Sequence, residues 1–270
     1  MNVKIWGAFA IFMVFFMLVT FADLRIGDSA TSTMWLLLAA FVTILSILML
    51  IKNKLPGKKQ IFISIAFGVA LFFAYTLTFR MIIFSAVQVP LVTVLCSLAM
   101  FSVFSKYENN SIKQLKGMTI KTNCITIVIG TVVGIIWGIG NLFLNDATPN
   151  FVITPYVFIM ALSPGIYEEI AFRAFVFAAC LYFLNGELAS KKQRFTCWFM
   201  MVVPHVLIHM PDMFIDNGLI NGIIGIIMLT ILFGLPFAFL QRKWDLTSAM
   251  IAHGIVIVIR FSAFGIPGLS

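Results

Sequence analysis

Residues 161–175 read ALSPGIYEEIAFRAF, and within this run Glu168 and Glu169 stand side by side among apolar residues, with Arg173 as the only other charge. An ionisable side chain at bilayer depth costs about 2.5–3.5 kcal/mol on insertion scales, so two adjacent carboxylates need partners or a water-filled cavity. The apolar run extends from 152 to 185. At about 1.5 Å per residue it would cover roughly 50 Å, against a hydrocarbon core of about 30 Å. Pro164 and Gly165 interrupt it, which predicts a kink or break at that point and one bent element over the whole run.

Outward from this stretch the chain has the same character. Its 270 residues are 61% hydrophobic and only 10% charged, with a mean hydropathy of +1.08, whereas soluble domains carry about 25% charged residues. Further apolar segments lie at 5–22, 33–51, 61–79, 82–104, 122–144, 197–211, 219–240 and 246–264. The expected fold is an all-α, polytopic transmembrane helical bundle of about eight to nine spans. Residues 1–121 are read as N-terminal transmembrane helices and 122–270 as the core that bears the chemistry. The first segment exceeds the usual signal-peptide core of about 7–15 residues and lacks a small-x-small cleavage site before Asp23, so it is read as a retained span.

The formal net charge of +8 does not indicate a nucleic-acid partner, because the basic residues sit in short loops. A cytoplasmic N-terminus puts Lys4, Lys52, Lys54, Lys58, Lys59, Lys106, Lys113, Lys116, Lys121, Lys191, Lys192, Arg194, Arg242 and Lys243 on the inside, fourteen of the 18 Lys and Arg. Arg25 and Arg80 fall outside, while Arg173 and Arg260 lie within spans. The bias predicts a multi-pass cell-membrane protein with a cytoplasmic N-terminus, in contact with membrane lipid. Asp28 and Asp146 are among the eight acidic residues placed in loops or at their margins. Cys96, Cys124, Cys180 and Cys197 fall within or beside apolar segments, where a thiol serves as a small hydrophobe. Trp6, Trp35, Trp198 and Trp244 are expected at the membrane interfaces as anchors.

On a helix Glu169 and Arg173 are i and i+4 and share a face. Two neighbouring carboxylates in a low-dielectric site do not both ionise cheaply, so an ion pair with Arg173 would hold Glu169 charged and leave Glu168 as the candidate base. The chain has three histidines, His205, His209 and His253, all in the last apolar segments. His205 and His209 are four apart and would project from one helix face, a spacing that suits metal ligation or a relay.

These motifs resemble the CAAX protease and bacteriocin-processing (Abi) family of intramembrane proteases, which includes the type II CAAX prenyl endopeptidases. Glu168-Glu169 followed by Arg173 resembles its E-E-x-x-x-R motif. His209 matches the histidine of its Phe-x-x-x-His motif, with His205 in place of the phenylalanine, and His253 matches that of His-x-x-x-Asn, with Ile257 in place of the amide. The resemblance covers roughly 150–265. It implies that Glu168 and His209 activate a water, that His253 lies beside the developing oxyanion, and that the Glu169–Arg173 pair holds the helix. The substrate it implies is a membrane-associated protein or peptide: a bacteriocin, a signalling peptide or a prenylated chain.

Ile257 predicts a slower enzyme, since one lost oxyanion donor typically costs about 10²–10³ in rate. Glu168, His205 and His209 would together supply a carboxylate and two imidazoles, the ligand set of several zinc hydrolases. One divalent metal such as Zn and metal-free water activation therefore both stand as readings. Two other functions compete. A catalytically silent immunity or scaffold protein would need the diacid only as a brace, and Ile257 supports it. A transporter or proton relay would also use intramembrane Glu and His, and paired interrupted helices in matching halves would be its mark.

Overall fold

The computed structural model describes residues 3–26, 29–78, 83–115, 117, 119–143 and 148–265, and among them every regular element is helical. Asp28, Arg80, Lys116 and Asp146, placed in loops by the sequence, lie outside the described residues. In chain order the elements are α1 Val3–Phe21, α2 Ala30–Lys52, α3 Lys58–Thr78, α4 Ile83–Lys106, a 3₁₀ turn Glu108–Asn110, α5 Ile120–Leu142, α6 Pro155–Leu162, a π-helical stretch Ser163–Ala174, α7 Phe175–Phe183, α8 Lys191–Leu207, α9 Pro211–Leu229, a π turn Thr230–Gly234, α10 Leu235–Lys243 and α11 Leu246–Phe264.

Among the described residues seven helices are long and apolar enough to cross a membrane: Val3–Phe21, Ala30–Lys52, Lys58–Leu77, Phe84–Lys106, Ile120–Leu142, Pro211–Lys243 and Leu246–Phe264. The protein is a multi-pass membrane protein. The two remaining expected segments take other forms. The stretch 152–185 is divided into α6, the π stretch and α7, and α8 has only 17 residues with a polar, basic first turn. Large apolar side chains such as Phe62, Phe84 and Ile51 are exposed on these helices, as lipid-facing positions require.

Local signals set the helix ends. Ser29 caps α2 by accepting from Ser32 N at 3.1 Å, Thr119 caps α5, and Asp245 caps α11 through Ser248 N at 2.7 Å. Ser190 and Gln193 form a capping box at α8. Pro155 and Pro211 open α6 and α9, positions where the missing N–H costs nothing.

Two compact units interleave along the chain, and the division passes through the π stretch after Ile170. The first comprises Met1–Gln60, Leu95–Ser111 and Ala171–Ala238. In it α1 packs on α2, α7, α8 and α9, and α7 packs on α8, around buried Met34, Phe175, Phe177, Met201 and Ile208. The Asp212 carboxylate, at the start of α9, accepts from Ser29 Oγ at 2.5 Å and from Ala30 N at 2.9 Å. It thereby satisfies the N-terminal donors of α2 and places a negative charge at the positive end of that helix.

The second unit comprises Ile61–Val94, Ile112–Ile170 and Phe239–Ser270. Its centre is the packing of α5 on α11. Gly130 and Gly134 of α5 face this contact, and a Cβ at either would lie 2.8 Å from Ser248 O or Ala252 O respectively. Small residues four apart let two helix backbones approach, a recurring device of membrane bundles. Thr126 Oγ1 donates to Asp245 Oδ2 at 2.6 Å. Leu246 N and Thr247 N donate to Lys113 O and Gln114 O. These contacts fix the start of α11, and α11 carries His253.

Candidate active site

The expected break at Pro164 is realised as a change of winding. Proline lacks an N–H and its ring crowds the carbonyl four residues back, so the α-helical ladder does not continue through it unchanged. From Ser163 the chain takes the wider i→i+5 winding instead and stays helical as far as Ala174. Gly165 lets this stretch lie close to α11, since a Cβ there would come 2.9 Å from Met250 O and 3.4 Å from Gly254 Cα. The approach brings the diacid to His253.

In the second unit Glu168 and Glu169 are both buried, at 7% and 0% exposure, and His253 is 7% exposed. The imidazole addresses both acids. Nδ1 lies 2.7 Å from Glu169 Oε1, and Nε2 lies 4.0 Å from Glu168 Oε2. Glu169 Oε2 accepts from Gln241 Nε2 at 2.6 Å, and the same nitrogen donates to the Glu169 backbone carbonyl at 3.0 Å. A carboxylate already accepting from an amide accepts again from Nδ1–H, and this fixes the histidine tautomer with Nε2 turned toward Glu168. Nearby, Tyr75 Oη and Ser163 Oγ are 2.7 Å apart. Ser163 precedes Glu168 by five residues, one turn of the π winding.

The first unit holds the other two histidines. His205 lies on α8 and is buried, whereas His209 lies just beyond the end of α8 and is exposed. The two were expected on one helix face. The helix ends because the backbone tightens, with His209 N donating to Val206 O and Met210 N to Leu207 O, before Pro211 opens α9. The rings still meet, with centroids 5.4 Å apart. Trp35 of α2 packs edge-on against His209 at 4.9 Å and against Phe172 at 5.3 Å. Trp35 thus forms a wall beside the histidines. The guanidinium of Arg173, 2% exposed, lies over the ring of Phe237 at 5.3 Å, within cation–π range.

Within each unit, then, sequence-identified residues come together: Glu168, Glu169 and His253 in one, His205 and His209 in the other. Ile257 is half-buried one turn beyond His253 on α11. Of the donors expected from the sequence, His205 and His209 lie together in the first unit and Glu168 lies in the second. A carboxylate oxygen and two imidazole nitrogens are the donor types that suit Zn²⁺. Sequence reasoning missed Gln241, Tyr75 and the role of Trp35. The glycine seam was readable, since Gly130, Gly134 and Gly138 follow a small-xxx-small pattern.

Comparison with known proteins supplies one match. Residues 150–259 match the family model described as "Type II CAAX prenyl endopeptidase Rce1-like". No curated protein and no solved structure matches the chain.

Proposed function

We propose, from the match of residues 150–259 to the Rce1-like type II CAAX prenyl endopeptidase model, that the chain is an intramembrane endopeptidase in which Glu168 and His209 activate a water for attack on a peptide carbonyl. The observation that carries the reading is the buried Glu168–His253–Glu169 cluster, built from the family's own motif residues. Glu169 orients His253 and stabilises its protonated form, as a buried carboxylate does for a catalytic imidazole. The protonated ring donates from Nε2 to the developing oxyanion, and such a donor gains strength in a dry site. Glu168 accepts the proton of the attacking water, shared with His209, and returns it to the leaving amine. Arg173, paired with Glu169 in this reading, holds the helix.

Glu168, His205 and His209 would be the residues to hold a divalent ion, whose chemistry there would be to acidify water. The remaining roles are unchanged. The substrate is a peptide presented at the bilayer. A C-terminal segment following a prenylated cysteine fits the family description, and bacteriocin or signalling peptides fit equally as membrane-associated chains.

The test uses the full chain in lipid nanodiscs with two peptides, one ending in a farnesylated C-a-a-X sequence and one apolar and unmodified, with products read by mass spectrometry. Cleavage by the native protein that falls about 10²–10⁴-fold in Glu168→Gln supports the reading. Cleavage unaffected by Glu168→Gln sinks it. Ile257, an apolar residue where the family carries an amide, favours a second reading as a silent immunity or scaffold member. That reading predicts no cleavage of either peptide and a biological output that survives Glu168→Gln.

A further inference from the structure

We propose that Gln241, which lies outside the three family motifs, is a positioning residue for the Glu169–His253 pair. The inference rests on the proteolytic reading for its consequence and on geometry for its substance. Gln241 lies on α10 and is 1% exposed. Its amide nitrogen donates to Glu169 Oε2 at 2.6 Å and to the Glu169 carbonyl at 3.0 Å. Both amide hydrogens are thus spent on one residue, one on its side chain and one on its backbone.

The orientation of the amide is dictated by Glu169. Turned over, Gln241 would aim its oxygen at two acceptors, which is repulsive. In the orientation adopted, Oε1 is buried with no partner among the described residues. The side chain therefore leaves its own acceptor unsatisfied in order to place its donors on Glu169. With one carboxylate oxygen bound by Gln241, the other is aimed at His253 Nδ1 at 2.7 Å. The imidazole is thereby held with Nε2 toward Glu168. Without Gln241 the glutamate loses the two hydrogen bonds that oppose rotation about its terminal torsion, which is broad for a carboxylate, and the orientation of the ring is held less firmly.

Ring ¹⁵N and ¹H spectra of histidine-labelled full-length protein in nanodiscs test this directly, because the chain has only three imidazoles. The His253 signals are assigned by their loss in His253→Asn. Gln241→Leu keeps the bulk and removes both donors, and Gln241→Met does the same with an unbranched side chain should the first variant not fold. The expected result is an upfield shift and broadening of the His253 Nδ1–H resonance, in the same direction as in Glu169→Gln, with the His205 and His209 signals unmoved. On a cleavable peptide the same variant loses about 10- to 100-fold in kcat with KM unchanged. An unchanged His253 resonance overturns the proposal, and so does a shift shared equally by all three rings, which marks a general loosening. The spectra need no substrate. Failure of the proteolytic reading in the Glu168→Gln assay is therefore distinguishable from failure here.

Discussion

His253 and Glu169, 84 residues apart in the chain, are joined by a 2.7 Å hydrogen bond that ties the last helix to the π stretch in the interior of the protein. The pair does two jobs at once. It satisfies a buried carboxylate, and it decides which ring nitrogen faces Glu168.

Replacing Glu169 by Ala leaves His253 Nδ1 and the Gln241 amide without this acceptor. A buried donor stranded in this way costs about 1–3 kcal/mol. Glu169→Ala is accordingly expected to lower the unfolding free energy of the reconstituted protein by that amount, with a matching fall in the unfolding midpoint, and to reduce peptide cleavage about 10²-fold or more. Denaturant titration in mixed micelles and the nanodisc cleavage assay measure the two effects. An unchanged midpoint would show that the hydrogen bond contributes nothing to the fold.

In the motif that the sequence around His253 resembles, Ile257 stands where an amide is expected to donate to the oxyanion. Ile257→Asn is expected to raise the cleavage rate, by up to about 10²–10³ if the amide reaches the reacting oxygen. A rate at or below that of the native chain refutes the assignment of this position. The comparison is informative only in kcat, since a donor used in the transition state leaves substrate binding unchanged.

The glycine seam between α5 and α11 makes a sharper structural prediction. Gly134→Ala puts a Cβ 2.8 Å from Ala252 O, against backbone that has nowhere to move, while Gly140→Ala on the same helix meets nothing within 4 Å. Overpacking of this kind costs about 1–3 kcal/mol. Gly134→Ala is expected to destabilise by that amount and Gly140→Ala to be neutral or slightly stabilising. Equal effects at the two positions would contradict the close approach.

Asp212 binds the first residues of α2, the helix that carries Trp35. Hydrogen bonds to a charged acceptor contribute about 1.5–3 kcal/mol. Asp212→Ala is expected to cost roughly this much and to increase hydrogen exchange at the amides of Ala30 and Thr31, which mass spectrometry of the α2 N-terminal peptide detects. Exchange unaltered there would mean the contact is too weak to hold the turn.

Much of this was legible in advance. The helical class and its membrane setting follow from apolar segments of spanning length, because a bilayer leaves a backbone few other ways to satisfy its polar groups. That Glu168 and Glu169 would need buried partners was also readable, since charged groups in such segments are costly, and His253 is one such partner. The winding at Ser163 was not. Pro164 signals disturbance of the helix, but whether the chain breaks, bends or widens is settled by what packs against it, here the backbone of Met250 and Gly254. Position 209 was misread for a related reason, because four-residue spacing implies one face only while the helix continues, and α8 stops at Leu207. Gln241 gave no signal, as a lone glutamine near the end of an apolar segment looks like any polar boundary residue. Its meaning comes from a partner 72 positions away.

The π winding from Ser163 to Ala174 also restricts how this part of the chain can change over evolutionary time. Each of its turns carries more residues than an α-helical turn of the same rotation. Deleting a single residue here would relax the stretch toward ordinary α-helix and swing the flanking segments relative to each other by about 100°. Substitutions along it can accumulate, but insertions and deletions would dismantle the geometry around Glu168 and Glu169, so the length of this segment should prove more constant than its sequence.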